Sequence, residues 1–135
     1  MGAAVNILSP GTLSIELTGQ AAHAAGDSIG HIKNPEGVPI IITDSTVYHI
    51  TNSTGAANLT VGSGATVAAA HDDATIVASI SIGGRAGTSV GSFAHSSAKA
   101  ALPVVATDHY IVACTDATSA GYTGKLFLRY LRATP

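Results

Sequence analysis

The stretch that decides the fold reads HIKNPEGVPIIIT and runs from His31 to Thr43. An extended approach enters a turn and leaves it as a strongly apolar strand. Pro35 presets φ at the second position of the turn, and Gly37 accepts backbone conformations that strain other residues. Because Pro39 has no N–H to donate to a sheet, we expect strand pairing to begin after it. The residues of this predicted structural turn are Asn34, Pro35, Gly37 and Pro39.

The rest of the chain continues as short strands and turns. Residues 40–52 contain two apolar halves separated by Asp44 and Ser45, which predicts a bulge or a bend between two sheets. Residues 83–97 are rich in glycine and serine and predict a surface excursion. Alternating apolar and polar residues predict further strands at 58–62, 76–82, 109–115 and 125–131.

The spacing of these segments predicts an all-β fold. No window of a dozen residues carries the apolar stripe of an amphipathic helix. Short strands at this spacing in a chain of 135 residues indicate one antiparallel β-sandwich, with a jelly roll favoured over an immunoglobulin-like arrangement. In the closing strand, Phe127 and Leu131 lie on one face. The opposite face carries Leu126, Leu128 and Tyr130, so both sides of this strand hold apolar residues and neither is purely solvent-exposed.

The first residues of the chain differ in composition from the others. We predict an N-terminal arm, residues 1–25, ahead of the sandwich domain, residues 26–135. The arm carries one charged residue, Glu16, and its weak alternation predicts one short strand. That strand is either an edge strand of the domain or lies along a neighbouring subunit, because an apolar arm in water would be a liability. The side chains expected to contact a partner surface are Ile7, Leu8, Leu13, Ile15 and Leu17.

Composition limits the classes of partner. Charged residues make up 10% of the chain, against about 25% in an average soluble domain, and a surface of small residues suits flat contact with other proteins. The six Lys and Arg residues are scattered and the net charge is −2, so we expect no nucleic-acid partner. No apolar run reaches the length of a membrane span, and no signal peptide is evident. Cys114, the only cysteine, predicts a buried inert thiol.

Candidate catalytic and metal-binding residues are few. His71, Asp72 and Asp73 form the densest cluster of possible ligands, but a solvated turn is the favoured interpretation. His49 and His109 could approach each other across a sheet, although strand alternation explains both without a ligand. The sequence has neither a G-x-S-x-G elbow nor a phosphate-binding loop. We therefore expect no enzyme activity, no cofactor and no metal.

Residues 34–43, NPEGVPIIIT, resemble the N-P-E-G-x-x-L-I-I-T pattern of a group of small tailed-phage and prophage proteins. In that group a segment similar to residues 54–66 follows the strand. A closing strand similar to residues 126–133 ends the chain. The likeness covers residues 29–66 and 109–133.

The resemblance implies a structural virion protein of a tailed bacteriophage, with capsid decoration (cement) as its role. Such a protein would lie on the exterior of the capsid and bind the lattice of the major capsid protein. It would form a homotrimer on that lattice. The acidic stretch that the group often carries is reduced here to Asp72 and Asp73, a departure that concerns the docking surface rather than the fold.

Two other functions remain open on the sequence. Another virion component, such as a tail, neck or fibre-base protein, could use the same sandwich and would differ in copy number. A carbohydrate-binding or receptor-binding jelly roll would need an exposed aromatic platform. The chain has no Trp, and Tyr122 is the one tyrosine that we predict in a loop.

Overall fold

The structure is a computed structural model that describes residues 10–21, 28–71, 73–83, 93–95 and 102–133. This part of the chain contains nine β-strands and no helix, so the all-β prediction is confirmed. The strands are β1 (Pro10–Thr18), β2 (Gly30–Lys33), β3 (Ile40–Thr51), β4 (Asn58–Gly64), β5 (Val77–Ser81), β6 (Phe93–His95), β7 (Val104–Val105), β8 (Tyr110–Thr115) and β9 (Thr123–Arg132).

The strands form two antiparallel sheets. The first sheet has the order β1-β9-β3-β6, with β7 also paired to β3, and the second has the order β2-β8-β4-β5. The pairs are nested along the chain: β1 pairs with β9, β2 with β8, β3 with β6 and β4 with β5. Successive pairs of this long ribbon fall in alternate sheets, which is the topology of a jelly roll. The predicted sandwich is confirmed, and the strand order excludes the immunoglobulin-like arrangement.

A β-bulge in β3 sets which residues enter the core. The register against β9 shifts between Ile42 and Asp44, as the polar pair in the middle of this segment predicted. A two-residue period continued from Ile42 would point Asp44 inward. The extra residue, Thr43, reverses the phase, so that Val47 is buried beyond the bulge.

The hydrophobic core lies between the two sheets and consists mainly of aliphatic side chains. Leu126, Leu128 and Tyr130, which the alternation places on one face of β9, point into the core, whereas Phe127 on the opposite face is 40% exposed. Each fully buried aliphatic side chain contributes about 1.5–3 kcal/mol to folding. The largest fully buried aliphatic side chains are Leu17, Ile40, Leu59, Ile82, Ile111, Leu126 and Leu128.

A short turn covers the outer face of the second sheet. The backbone N–H of Ala70 donates to the carbonyl of Thr66 at 3.1 Å, which closes a single helical turn after β4. Ala70 packs on Val112 and Cys114 of β8, so that β8 is buried on both faces. The Cys114 side chain is buried, as predicted.

The region predicted as a surface excursion contains a strand that the sequence did not reveal. The three residues of β6 pair with Thr46, Val47 and Tyr48 at the edge of β3. A three-residue strand is too short to show an alternating pattern, so the prediction treated residues 83–97 as loop. Residues 84–92 lie outside the described part of the chain.

Candidate interaction surface

The structural turn after β2 is held by the side chain of Asn34, which is 5% exposed. Its Nδ2 group donates to the carbonyls of Val38 and Ala106, each at 3.1 Å, and lies 3.3 Å from the carbonyl of Val105. Its Oδ1 atom accepts a hydrogen bond from the backbone N–H of Glu36 at 2.9 Å. One asparagine therefore closes the turn and ties it to the end of β7.

Glu36 ties the same turn to the last strand. Arg132 Nε lies 2.8 Å from Glu36 Oε1, and the Tyr130 hydroxyl donates to Oε2 at 2.7 Å. These two hydrogen bonds, the first from Arg132, hold the pKa of Glu36 below its ordinary value. Burial and the bond to Glu36 raise the pKa of Tyr130. The turn and β9 thus form one polar unit at the end of the sandwich.

The other predicted turn residues play smaller parts. Pairing of β3 begins at Ile40, directly after Pro39, as expected, and the Pro39 carbonyl accepts a hydrogen bond from the N–H of Ala133 at 2.8 Å. Pro35 and Gly37 are exposed. The prediction that Gly37 adopts a backbone conformation that strains other residues is wrong. Its φ is not positive, and a Cβ there would meet nothing within 4 Å.

The arm residues fall into two groups. β1 forms nine cross-strand pairs with β9, so it is an edge strand of this chain's own first sheet. Ile15 and Leu17 are 5% and 1% exposed within the core, and Leu13 packs against that core. These side chains are therefore engaged inside the chain. Ile7 and Leu8, the other two predicted contact residues, lie outside the described residues.

The outer face of the first sheet is built from rows of side chains that the strand register places side by side. One row is apolar and consists of Val104, Ile41, Leu131 and Pro10. The next row consists of Asp44, Arg129 and Thr12. The third row places Phe127 between the small hydroxyl residues Thr46 and Ser14. The fourth row places Lys125 between Tyr48 and Glu16.

A shallow groove runs along β9 on this face. A depression of about 500 Å³ lies beside Phe127, and one of about 540 Å³ reaches Pro10 and Leu131. The two depressions share Thr12 and Arg129 as lining residues, so they adjoin each other. We name the outer surface formed by the four rows, with Val104 of β7 at its edge, the β1-β9-β3 face.

Of the three candidate metal ligands after β4, the structure describes His71 and Asp73, and Asp73 is hydrogen-bonded within its loop. Asp73 Oδ2 accepts from the N–H of Ser63 at 3.1 Å, and Oδ1 accepts from the N–H of Thr75 at 3.1 Å. Asp72 lies outside the described residues. Among the residues that are described, no group of three or more His, Cys, Asp or Glu side chains could hold a metal ion.

His49 instead pairs with a tyrosine in the core. Its Nδ1 lies 3.0 Å from the Tyr122 hydroxyl, and both side chains are buried. Burial lowers the pKa of His49 and raises that of Tyr122 to about 12. His109 precedes β8 in the other sheet, so the two histidines do not face each other across one sheet. Tyr122 lies in the connection before β9, as predicted, but it is fully buried, so it does not offer the exposed aromatic surface that a carbohydrate-binding platform needs.

Comparisons with known proteins find the same fold in a phage capsid structure. No protein-family model matches the sequence, and no curated protein matches it. A chain in the structure "Capsid of Ralstonia phage GP4" matches all of this chain and 92% of its own length, with a TM-score of 0.57 and 20% identity. A chain in "Cyanophage Pam1 capsid asymmetric unit" matches 98% of this chain and 92% of its own length, with a TM-score of 0.43 and 22% identity. The first match shows a shared fold over the full chain. Within the described residues, no helix is long and apolar enough to span a membrane.

Proposed function

We propose that the chain is a structural protein of a tailed-phage virion that decorates the capsid from outside and binds the lattice of the major capsid protein. The observation that carries the proposal is the shared fold, over the full length of this chain, with a chain of the Ralstonia phage GP4 capsid. The N-P-E-G turn supports it independently, because its resemblance to small tailed-phage proteins rests on the sequence alone.

The geometry of the turn suits a protein that must keep a fixed shape when it is bound to a capsid shell. Asn34 and Glu36 connect the turn to β7 and β9 through hydrogen bonds and an ion pair. A decoration protein converts no substrate, so its function rests on a rigid outline and on surfaces that fit a partner. Fixing the turn in advance reduces the conformational entropy lost on docking.

The assembly that we propose is a homotrimer whose copies engage the shell together. Linked contacts add avidity, so each contact can be weak while the assembly binds tightly. We propose that the N-terminal segment, through Ile7 and Leu8, contributes to contacts with a neighbouring copy or with the shell. Ile15 and Leu17 serve the core of their own chain instead.

The experiment is sedimentation of the purified chain with shells assembled without it. We expect saturable binding to the shells and none to an unrelated phage shell of similar size. A variant that lacks residues 1–9 leaves every pair of β1 intact, so it should fold and should bind less tightly. Absence of binding by the complete chain would contradict the decoration role, and full binding by the shortened chain would contradict the role of the N-terminal segment alone.

A further inference from the structure

The two outer faces of the sandwich differ in what covers them. The second sheet carries the turn at Ala70, which packs on Val112 and Cys114. Nothing comparable in the described part of the chain covers the β1-β9-β3 face. Among the residues whose burial is described, the exposed large hydrophobic side chains all lie in the first sheet or in the segment that leads into it: Ile50, Leu102, Val104 and Phe127.

The charges on the β1-β9-β3 face occur as opposite neighbours. Asp44 lies across from Arg129, and Glu16 lies across from Lys125. The four described rows therefore carry two positive and two negative side chains, which cancel in net charge. Such a face does not attract a strongly charged partner surface over distance, and it fits one that is uncharged and partly apolar.

We propose that the β1-β9-β3 face is the surface that docks on the shell, and that its partner is an uncharged segment of the major capsid protein that places an apolar side chain in the groove beside Phe127. This inference rests on the proposed function. Val104, at 58% exposed, and Phe127, at 40%, supply the apolar contacts, and Arg129 between them lines the groove.

A second copy of the chain fits this face less well. Lys125 and Arg129 lie two residues on either side of Phe127 on β9, the central strand. If two copies packed face to face with their Phe127 side chains in register, each of these cations would lie against a cation of the other copy, whether the two β9 strands ran parallel or antiparallel. Three strands and seven residues of β9 give an area of about 300 Å². A stable two-body interface buries about 800 Å² per partner, so this face is suited to repeated contacts on a lattice.

The test compares charge insertions on the two sheets. Val104→Asp and Phe127→Asp place a charge on the proposed docking face, and Ala78→Asp places one at an exposed position of β5 in the second sheet. Each is assayed by sedimentation with shells that lack the chain, after circular dichroism has shown that it is folded. Burial of one such apolar side chain contributes about tenfold in affinity. We expect at least that loss for Val104→Asp and Phe127→Asp, and unchanged binding for Ala78→Asp.

The outcomes separate the inference from the function on which it rests. If the wild-type chain does not bind shells, the proposed function fails. If it binds and both face variants bind equally well, or if Ala78→Asp alone weakens binding, the docking face is wrong. A wild-type dimer that Phe127→Asp converts to a monomer would identify a second copy as the occupant and overturn the inference. Hydroxyl-radical footprinting of the wild type on shells gives a readout that needs no variant: protection of Phe127 is expected, and undiminished labelling would refute the proposal.

Discussion

Replacing Asn34 with alanine should destabilise the fold far more than a usual surface substitution. The side chain offers two N–H groups to three carbonyls and accepts one backbone hydrogen bond, all at a position that is 5% exposed. Three net hydrogen bonds at about 1 kcal/mol each give a loss of about 3 kcal/mol in the free energy of unfolding. For a domain of this length, that corresponds to a fall in Tm of about 10 °C.

Urea unfolding followed by circular dichroism measures this loss. The matched control is Asn58→Ala, which removes one exposed side-chain bond, from Asn58 Nδ2 to Asp116 Oδ2 at 2.9 Å. We expect the control to lose less than about 1 kcal/mol. Equal losses for Asn34→Ala and Asn58→Ala would refute the reasoning that the turn is held mainly by the Asn34 side chain.

Three further predictions concern the core, the buried histidine and the ion pair. Leu17→Ala should cost about 3 kcal/mol in urea unfolding because Leu17 is fully buried, and a loss near zero would mean that β1 does not contribute to the core. Burial keeps the pKa of His49 below its ordinary value of 6.5, so the unfolded chain binds protons first as the pH falls. The free energy of unfolding should therefore keep its value above pH 6.5 and decrease as the pH falls below it. Unfolding curves at pH 7.5 and 5.5 measure this decrease, which should be smaller in His49→Gln; an unchanged decrease would contradict the assignment. Because the pKa of Glu36 is lowered from its ordinary value of 4.5, ionised Glu36 stabilises the fold above pH 4.5, and this contribution is lost as the pH falls further. Glu36→Gln should remove that part of the acid dependence of unfolding, and an acid transition identical to that of the wild type would contradict the assignment.

Local pattern was sufficient to predict much of the sandwich. The alternation at the end of the chain correctly placed Leu126, Leu128 and Tyr130 on one face, and the structure shows that this face packs into the core. The polar pair at Asp44 correctly predicted the bulge in β3, because a strand that must keep one face apolar cannot pass a charged residue without a change of phase. These features depend on neighbours in sequence, which periodicity can detect.

Features that depend on distant partners could not be predicted from the sequence. Glu36 is 94 residues from Tyr130, and His49 is 73 residues from Tyr122. Tyr122 lies in a loop, as its sequence context indicates, but its burial beside His49 depends on contacts that local pattern does not show. The docking face is similar, since its rows join residues from four strands that only the register brings together.

The measurement that tests the central claim most directly is the copy number of this chain relative to the major capsid protein, by quantitative mass spectrometry of purified particles. Decoration of the whole shell predicts nearly equal copies of the two proteins. A few copies per particle would assign the chain to a tail, neck or fibre base, and its absence from the particles would contradict a virion role.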